Sequence, residues 1–268
     1  MHVDRKTQLS LRVVALAYLA VLLLIPVIVI FGRTFEHGIG PVIDKVTTPA
    51  AISAFWLTIE VAAIAVVLNA IFGIATALVL VRTKVPGRRL LDAMIDMPFA
   101  VSPVVIGLAL VALYGRTGWF GPWLEDHGIQ ILFSFPGILL ATVFVSLPFV
   151  VREVAPVLRE IGDEQEQAAA TLGANGWQTF WRITLPAIRW GLVYGVVLSV
   201  ARAIGEFGAV SFVSGKVAGE TQTLTILVEQ RYTNFDVSGA YAAAALLAVI
   251  ALVTLLAMTL LSGRRTHS

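Results

Sequence analysis

Six apolar stretches, at about 11–31, 54–81, 91–114, 131–151, 190–213 and 239–261, dominate the chain and leave it few folds to choose from. Each is long enough, at ~1.5 Å per helical residue, to cross the ~30 Å hydrocarbon core of a bilayer. Inside that core every backbone amide and carbonyl must find a partner within the protein, so runs of this length become helices. Charged residues make up only 13% of the 268 positions, where soluble chains carry about 25%. The expectation is an all-α, polytopic membrane protein with about six transmembrane helices, a tail at 1–10, a membrane domain at 11–262 and a second tail at 263–268. The first stretch outruns the roughly 7–15 apolar residues of a signal-peptide core, so it reads as a retained span with Pro26 as a bend. The absence of cysteine excludes disulfides, thiolate metal sites and cysteine nucleophiles.

The basic residues orient the spans. With both termini cytoplasmic, the inside segments hold Arg5, Lys6, Arg12, Arg82, Lys84, Arg88, Arg89, Arg152, Arg159, Arg182, Arg189, Arg264 and Arg265. The outside loops hold only Arg33, Lys45, Arg116, Lys216 and Arg231, which satisfies the positive-inside rule. These charges flank membrane segments and form no stripe, so nothing points to nucleic acid. Trp119, Phe120 and Trp123 suit the lipid headgroup zone of an outside loop.

Several positions inside the spans stand out. Pro98 and Pro103, with Ser102 between them, leave carbonyls without amide donors, so the third span should be broken or kinked there and shape a path. Gly191 and Gly195, four apart, allow another helix backbone to approach closely. Asn69, Thr76, Ser102, Ser146 and Ser199 either line a path or hydrogen-bond a neighbouring helix. Arg202 and Glu206 are the conspicuous intramembrane charges. Charge at mid-bilayer costs about 2.5–3.5 kcal/mol on insertion scales, so both should face partners or water. Four residues apart, they share a helical face. Two readings stay open: a mutually satisfied pair that locks helix packing, or an Arg202 that biases the path toward anions while Glu206 holds it in place.

The longest interval that cannot enter a bilayer is 152–189. Asp163 with Glu166 reads as a capping box opening a short helix, Ala168 to Leu172 have high helix propensity, and Gly173 can end it in a left-handed cap. Such a helix is too short to span a membrane but about right for another protein's groove. Its residues match the cytoplasmic coupling motif of ATP-binding-cassette importer permeases, which runs Glu-Ala-Ala, three residues, Gly, nine residues, Ile, one residue, Leu-Pro. The motif falls on Gln167, Ala168, Ala169, Gly173, Ile183, Leu185 and Pro186, with Gln167 in place of the usual Glu and Glu166 beside it. The chain therefore resembles that family. The resemblance implies the type I importer permease fold, with 152–189 as the coupling segment that contacts an ATPase subunit.

The chain has no Gly-rich loop ending in Gly-Lys-Ser/Thr, so it does not bind ATP by that route, and ATP and Mg belong on a partner. It has no His-Glu-x-x-His pair, and His2, His37, His127 and His267 all lie in tails or loops, so a membrane metalloenzyme is disfavoured. No catalytic, cofactor or metal residues are expected. The stretch from Ala201 to Gly215, followed by Gly219 to Leu224, resembles the CysW-type permease subunits of sulfate/thiosulfate importers. Molybdate and tungstate permeases share a shorter Gly-Glu-Phe-Gly core. The resemblance implies a second, CysT-like permease subunit, two copies of an ATPase subunit, an extracytoplasmic sulfate-binding protein, and a multi-pass place in the bacterial inner membrane. The alternatives are a molybdate/tungstate permease and, lower, a secondary transporter driven by an ion gradient.

Overall fold

The computed structural model describes residues 5–84 and 86–263; the expected extreme ends of both tails, with Arg264 and Arg265, lie outside these. Among the described residues all regular structure is helical. Helix α1 (Arg5–Phe35) continues through Pro26 and packs along the last helix, leaving its apolar side chains from Leu11 to Ile25 outward. The loop expected next contains a short helix, α2 (Ile39–Val46).

Helix α3 (Pro49–Arg82) is the central element. Thr48 caps it through its side chain, which accepts from the Ala51 amide, and Pro49 supplies the preset φ of a first turn. Its 34 residues make a rod of roughly 50 Å. The buried side is built from small residues, including Ala54, Ala62, Ala65, Gly73 and Ala77. That narrow face lets α7 (Phe135–Glu160) lie close, and α10 (Leu185–Ile204) packs against both. A Cβ on Gly73 would stand 2.7 Å from Val150, and one on Gly195 2.8 Å from the Val150 Cα. A Cβ on Gly191 would stand 2.8 Å from the Glu153 carbonyl oxygen. The glycine pair thus serves the close helix approach that its spacing implies.

The stretch expected as one kinked span is two helices, α4 (Arg88–Ala100) and α5 (Pro103–Tyr114), bent by 114°. The break is set by Pro103: Val101 and Ser102 are extended (ψ 136 and 137), as the residue before a proline prefers. Pro98 does not form the break, because it sits within the last turn of α4. The two halves serve different parts of the core. Ile95 of α4 joins Leu80, Val154, Leu158 and Ile188 in one cluster. Ile106 of α5 joins Val61, Ile138, Val145, Val210 and Ile226 in another.

The loop after α5 holds α6 (Gly121–Asp126), with Trp119 and Trp123 exposed. Helix α7 runs nine residues beyond the expected end of its span. Arg152 explains part of this: it stays helical because Asp92 and Asp96 of α4 pair with it. The segment then continues as α8 (Glu164–Thr171), α9 (Gly176–Thr179), and a π-helical turn at Phe180–Thr184 that runs into α10. Helix α10 ends at Ile204, earlier than expected. A break at 205–209 leads to α11 (Val210–Val213), and α12 (Leu224–Thr233) and α13 (Val237–Gly263) complete the chain. Among the described residues five helices are long and apolar enough to cross a membrane, six if the bent pair counts as one span.

Candidate functional site

Helix α8 is eight residues long and stands between two glycines in left-handed conformations, Gly162 (φ 65) and Gly173 (φ 86). Its carboxyl end is closed by paired bonds, Gly173 N–H to the Ala170 carbonyl (3.0 Å) and Ala174 N–H to the Ala169 carbonyl (3.0 Å), the Schellman arrangement. Gln167, Ala168 and Ala170 face outward, Leu172 is 88% exposed, and Ala169 turns into the protein. Ile183 is half-buried, Leu185 packs on the α3/α7 core, and Pro186 is exposed in the first turn of α10.

The expected capping box at Asp163 and Glu166 does not form, since the Asp163 side chain makes no capping bond. Glu166 is turned inward instead. Its Oε2 accepts from Arg82 Nε (2.8 Å) and its Oε1 from Thr184 Oγ1 (2.7 Å). Arg82 brings a full positive charge to the carboxylate as well as its N–H donors, an attraction the neutral local amide lacks. Glu166 is therefore engaged within the chain, and the exposed side chain next to it is Gln167. The capping box occurs at the next helix: Asn175 Oδ1 accepts from Gln178 N–H (2.9 Å), and Gln178 Oε1 from Asn175 N–H (3.0 Å). The Asn175-to-Gln178 spacing carried that signal; nothing local to Arg82 or Thr184 announced theirs.

At the other candidate site, Arg202 Nη2 lies 2.5 Å from Glu206 Oε2, with the Glu206 side chain only 1% exposed. The pair does not share a helical face, because α10 has already ended. Glu206 is in the break, where its Oε1 accepts from the Ala209 N–H (2.7 Å) and its carbonyl from Thr225 Oγ1 (2.8 Å). Arg202 sits in the last turn of α10, the negative end of the helix dipole. This break packs on the other one: a Cβ on Gly208 would stand 2.8 Å from Pro103, and one on Gly107 2.8 Å from the Ala209 carbonyl oxygen. Ser102 is exposed and Pro98 half-buried.

Of the two roles the sequence left open for Ser199, the structure shows the hydrogen bond to a neighbouring helix. Ser199 is fully buried and accepts a hydrogen bond from Asn69 Nδ2 (3.1 Å), which also donates to Ser146 Oγ (2.7 Å). The three side chains knot α3, α7 and α10 together at a depth where an unpaired polar group is costly. Among the described residues no cluster of His, Asp and Glu could hold a metal ion.

A clamp closes the end of the bundle away from α8. Arg231 donates to the carbonyls of Gly239 (3.0 Å) and Lys45 (2.9 Å) and to Thr48 Oγ1 (2.9 Å), while Lys45 Nζ reaches Asp236 Oδ1 (2.7 Å). Burial alone would raise the Asp236 carboxyl. The hydrogen bonds from Lys45 and the Gly239 amide, with the Lys45 and Arg231 charges, outweigh it and hold the carboxyl below its ordinary value.

Comparison with known proteins adds sequence-wide support. Residues 69–267 match the family model described as the binding-protein-dependent transport system inner membrane component. The chain is 51% identical, over 262 residues, to the sulfate transport system permease protein CysW of Synechocystis, covering 98% of this chain and 95% of that one. It is 37% identical over 250 residues to the permease protein CysT of Escherichia coli K12, covering 93% and 90%. The crystal structure of a bacterial alginate ABC transporter with its alginate pentasaccharide-bound periplasmic protein has the same fold. Its TM-score is 0.77 at 19% identity, covering 97% of this chain and 95% of the matched one. Helix order and family match agree: the chain belongs to the binding-protein-dependent transport system inner membrane component family, as an ABC importer permease.

Proposed function

We propose that this chain is the CysW-type permease subunit of an ATP-driven importer of sulfate or thiosulfate. The observation that carries the mechanism is α8, a short polar helix outside the apolar spans, with Gln167, Ala168 and Leu172 outward and a glycine-closed end. Such a helix fits a groove on an ATPase subunit, which holds the ATP and Mg. Two ATPase copies, a CysT-like second permease and an extracytoplasmic sulfate-binding protein complete the assembly. The distribution of basic residues supports cytoplasmic termini and a cytoplasmic α8 in the inner membrane. Closure of the ATPases displaces α8, and the attached helices α7 and α10 alternate the exposure of a central path. Substrate choice rests with the binding protein, because the spans carry no run of donor side chains in sequence that could encase a dianion. The substrate assignment is supported by the likeness to CysW along nearly the whole chain.

The test is uptake of radiolabelled sulfate in cells lacking other sulfate importers, with and without this chain. Uptake that needs the chain, resists excess molybdate and is competed by thiosulfate is expected. Uptake indifferent to the chain refutes the sulfate assignment. Chain-dependent uptake of labelled molybdate in its place establishes the molybdate/tungstate alternative.

A further inference from the structure

Glycine joints on both sides would leave α8 free to swing without moving anything. Gly162 (φ 65) separates it from α7, and Gly173 (φ 86) from α9. A helix that transmits force needs a third attachment. Arg82, the last residue of α3, supplies it. Its guanidinium donates to Glu166 Oε2 (2.8 Å), to the Leu158 carbonyl at the end of α7 (3.0 Å) and to the Gly162 carbonyl in the joint itself (2.6 Å). Glu166 is held from behind by Thr184 of the π-helical turn (2.7 Å). Both charged side chains are largely withdrawn from solvent, at 18% and 20% exposure. The planar five-donor fork of arginine spans acceptors that lie apart, whereas lysine presents its three donors from a single nitrogen.

The far end of α3 is held in the same manner. Arg231 bonds Thr48, which caps α3, and the adjacent Lys45 carbonyl. Helix α3 is thus a continuous rod tied at one end to the coupling helix and at the other to α12 and α13.

We infer that Arg82 is a positioning residue for coupling: through Glu166 and the Gly162 carbonyl it locks α8 to α3, so that a movement of α8 is carried along α3 to the opposite face. The inference rests on the importer reading above. It adds a second transmission route beside the covalent links to α7 and α10, and assigns Glu166 an internal task in place of a partner contact.

The experiment uses the complete complex in proteoliposomes, with Arg82→Lys and Glu166→Gln variants, measuring ATP hydrolysed and sulfate transported in the same vesicles. Loss of charge-assisted bonds of this kind corresponds to about a tenfold change in an equilibrium. Sulfate moved per ATP should therefore fall about tenfold while ATP hydrolysis stays within about twofold. Hydrogen exchange of the α8 amides, which requires no transported substrate, should quicken by a similar factor in both variants. An unchanged sulfate-to-ATP ratio overturns the inference, as does unchanged exchange in α8. A proportional fall in both activities with a lowered melting temperature assigns Arg82 to stability alone, and also overturns it. If the wild-type complex carries no sulfate, the substrate reading fails, and the exchange measurement still decides the role of Arg82.

Discussion

Gly173 gives the sharpest test of the coupling segment, because its conformation and its surroundings separate two explanations. Its φ of 86 lies in the left-handed region, and a Cβ placed on it would meet no atom within 4 Å. Any cost of substitution in the free chain is therefore a backbone cost and owes nothing to crowding. A left-handed L-residue costs about 1–2 kcal/mol, least for Asn and most for β-branched residues. If the docked state keeps this cap, Gly173→Ala should weaken association with the ATPase subunit by roughly fivefold and Gly173→Val by about thirtyfold or more. Gly173→Asn should lie close to wild type. Asn and Val are similar in size, so steric exclusion by the partner would penalise them alike, whereas conformational demand separates them. The assay is titration of the ATPase subunit onto the permease pair in detergent, followed by ATP-driven uptake. Equal losses for Asn and Val, or full association with Val, would refute the left-handed cap as the reason for glycine here.

Three further outcomes are expected. Arg202→Met should destabilise by about 3 kcal/mol or more, since it leaves Glu206 buried and unpaired; adding Glu206→Gln should recover most of the melting temperature. Uptake that recovers with it assigns the pair to packing, and uptake that stays lost assigns Arg202 to the anion path. Asn69→Ala should lower stability by about 1 kcal/mol, at the ~0.6 kcal/mol average for a hydrogen bond between membrane helices, with uptake per folded complex unchanged; a selective loss of uptake would return Asn69 to the path. Asp236 has its folded value depressed below the ordinary 3.8, so its stabilisation of the clamp is fully present above that value and is lost as pH falls through the lower, folded one. The stability gap between wild type and Asp236→Asn, followed by thermal unfolding, should be constant from neutral pH to about 4 and close only below; a gap that closes near pH 6 contradicts the pairing.

Local chemistry was legible wherever one segment decided the outcome. The apolar runs could become only helices, Pro98 and Pro103 marked where one is interrupted, and Gly173 sits where a helix must stop. The capping box illustrates the limit. Asp163 and Glu166 have the right spacing, yet Arg82, 84 positions away along the chain, takes the carboxylate. Likewise Arg202 and Glu206 share a face only if the helix continues between them, and it ends at Ile204 because Glu206 is engaged by Ala209 and Thr225.

By itself the amino-acid sequence determined the class of fold, the approximate place of the apolar segments, and the family. These follow from hydrocarbon thickness, backbone hydrogen bonding and motif spacing, all short-range or additive properties. Only the tertiary structure decided the 114° bend between α4 and α5, the burial of Ser199 in a three-helix knot, and the hold of Arg82 on α8. Each depends on groups far apart in the chain meeting at hydrogen-bond distance. The packing of small residues on α3 against α7 and α10 brings them together, and no local pattern encodes it.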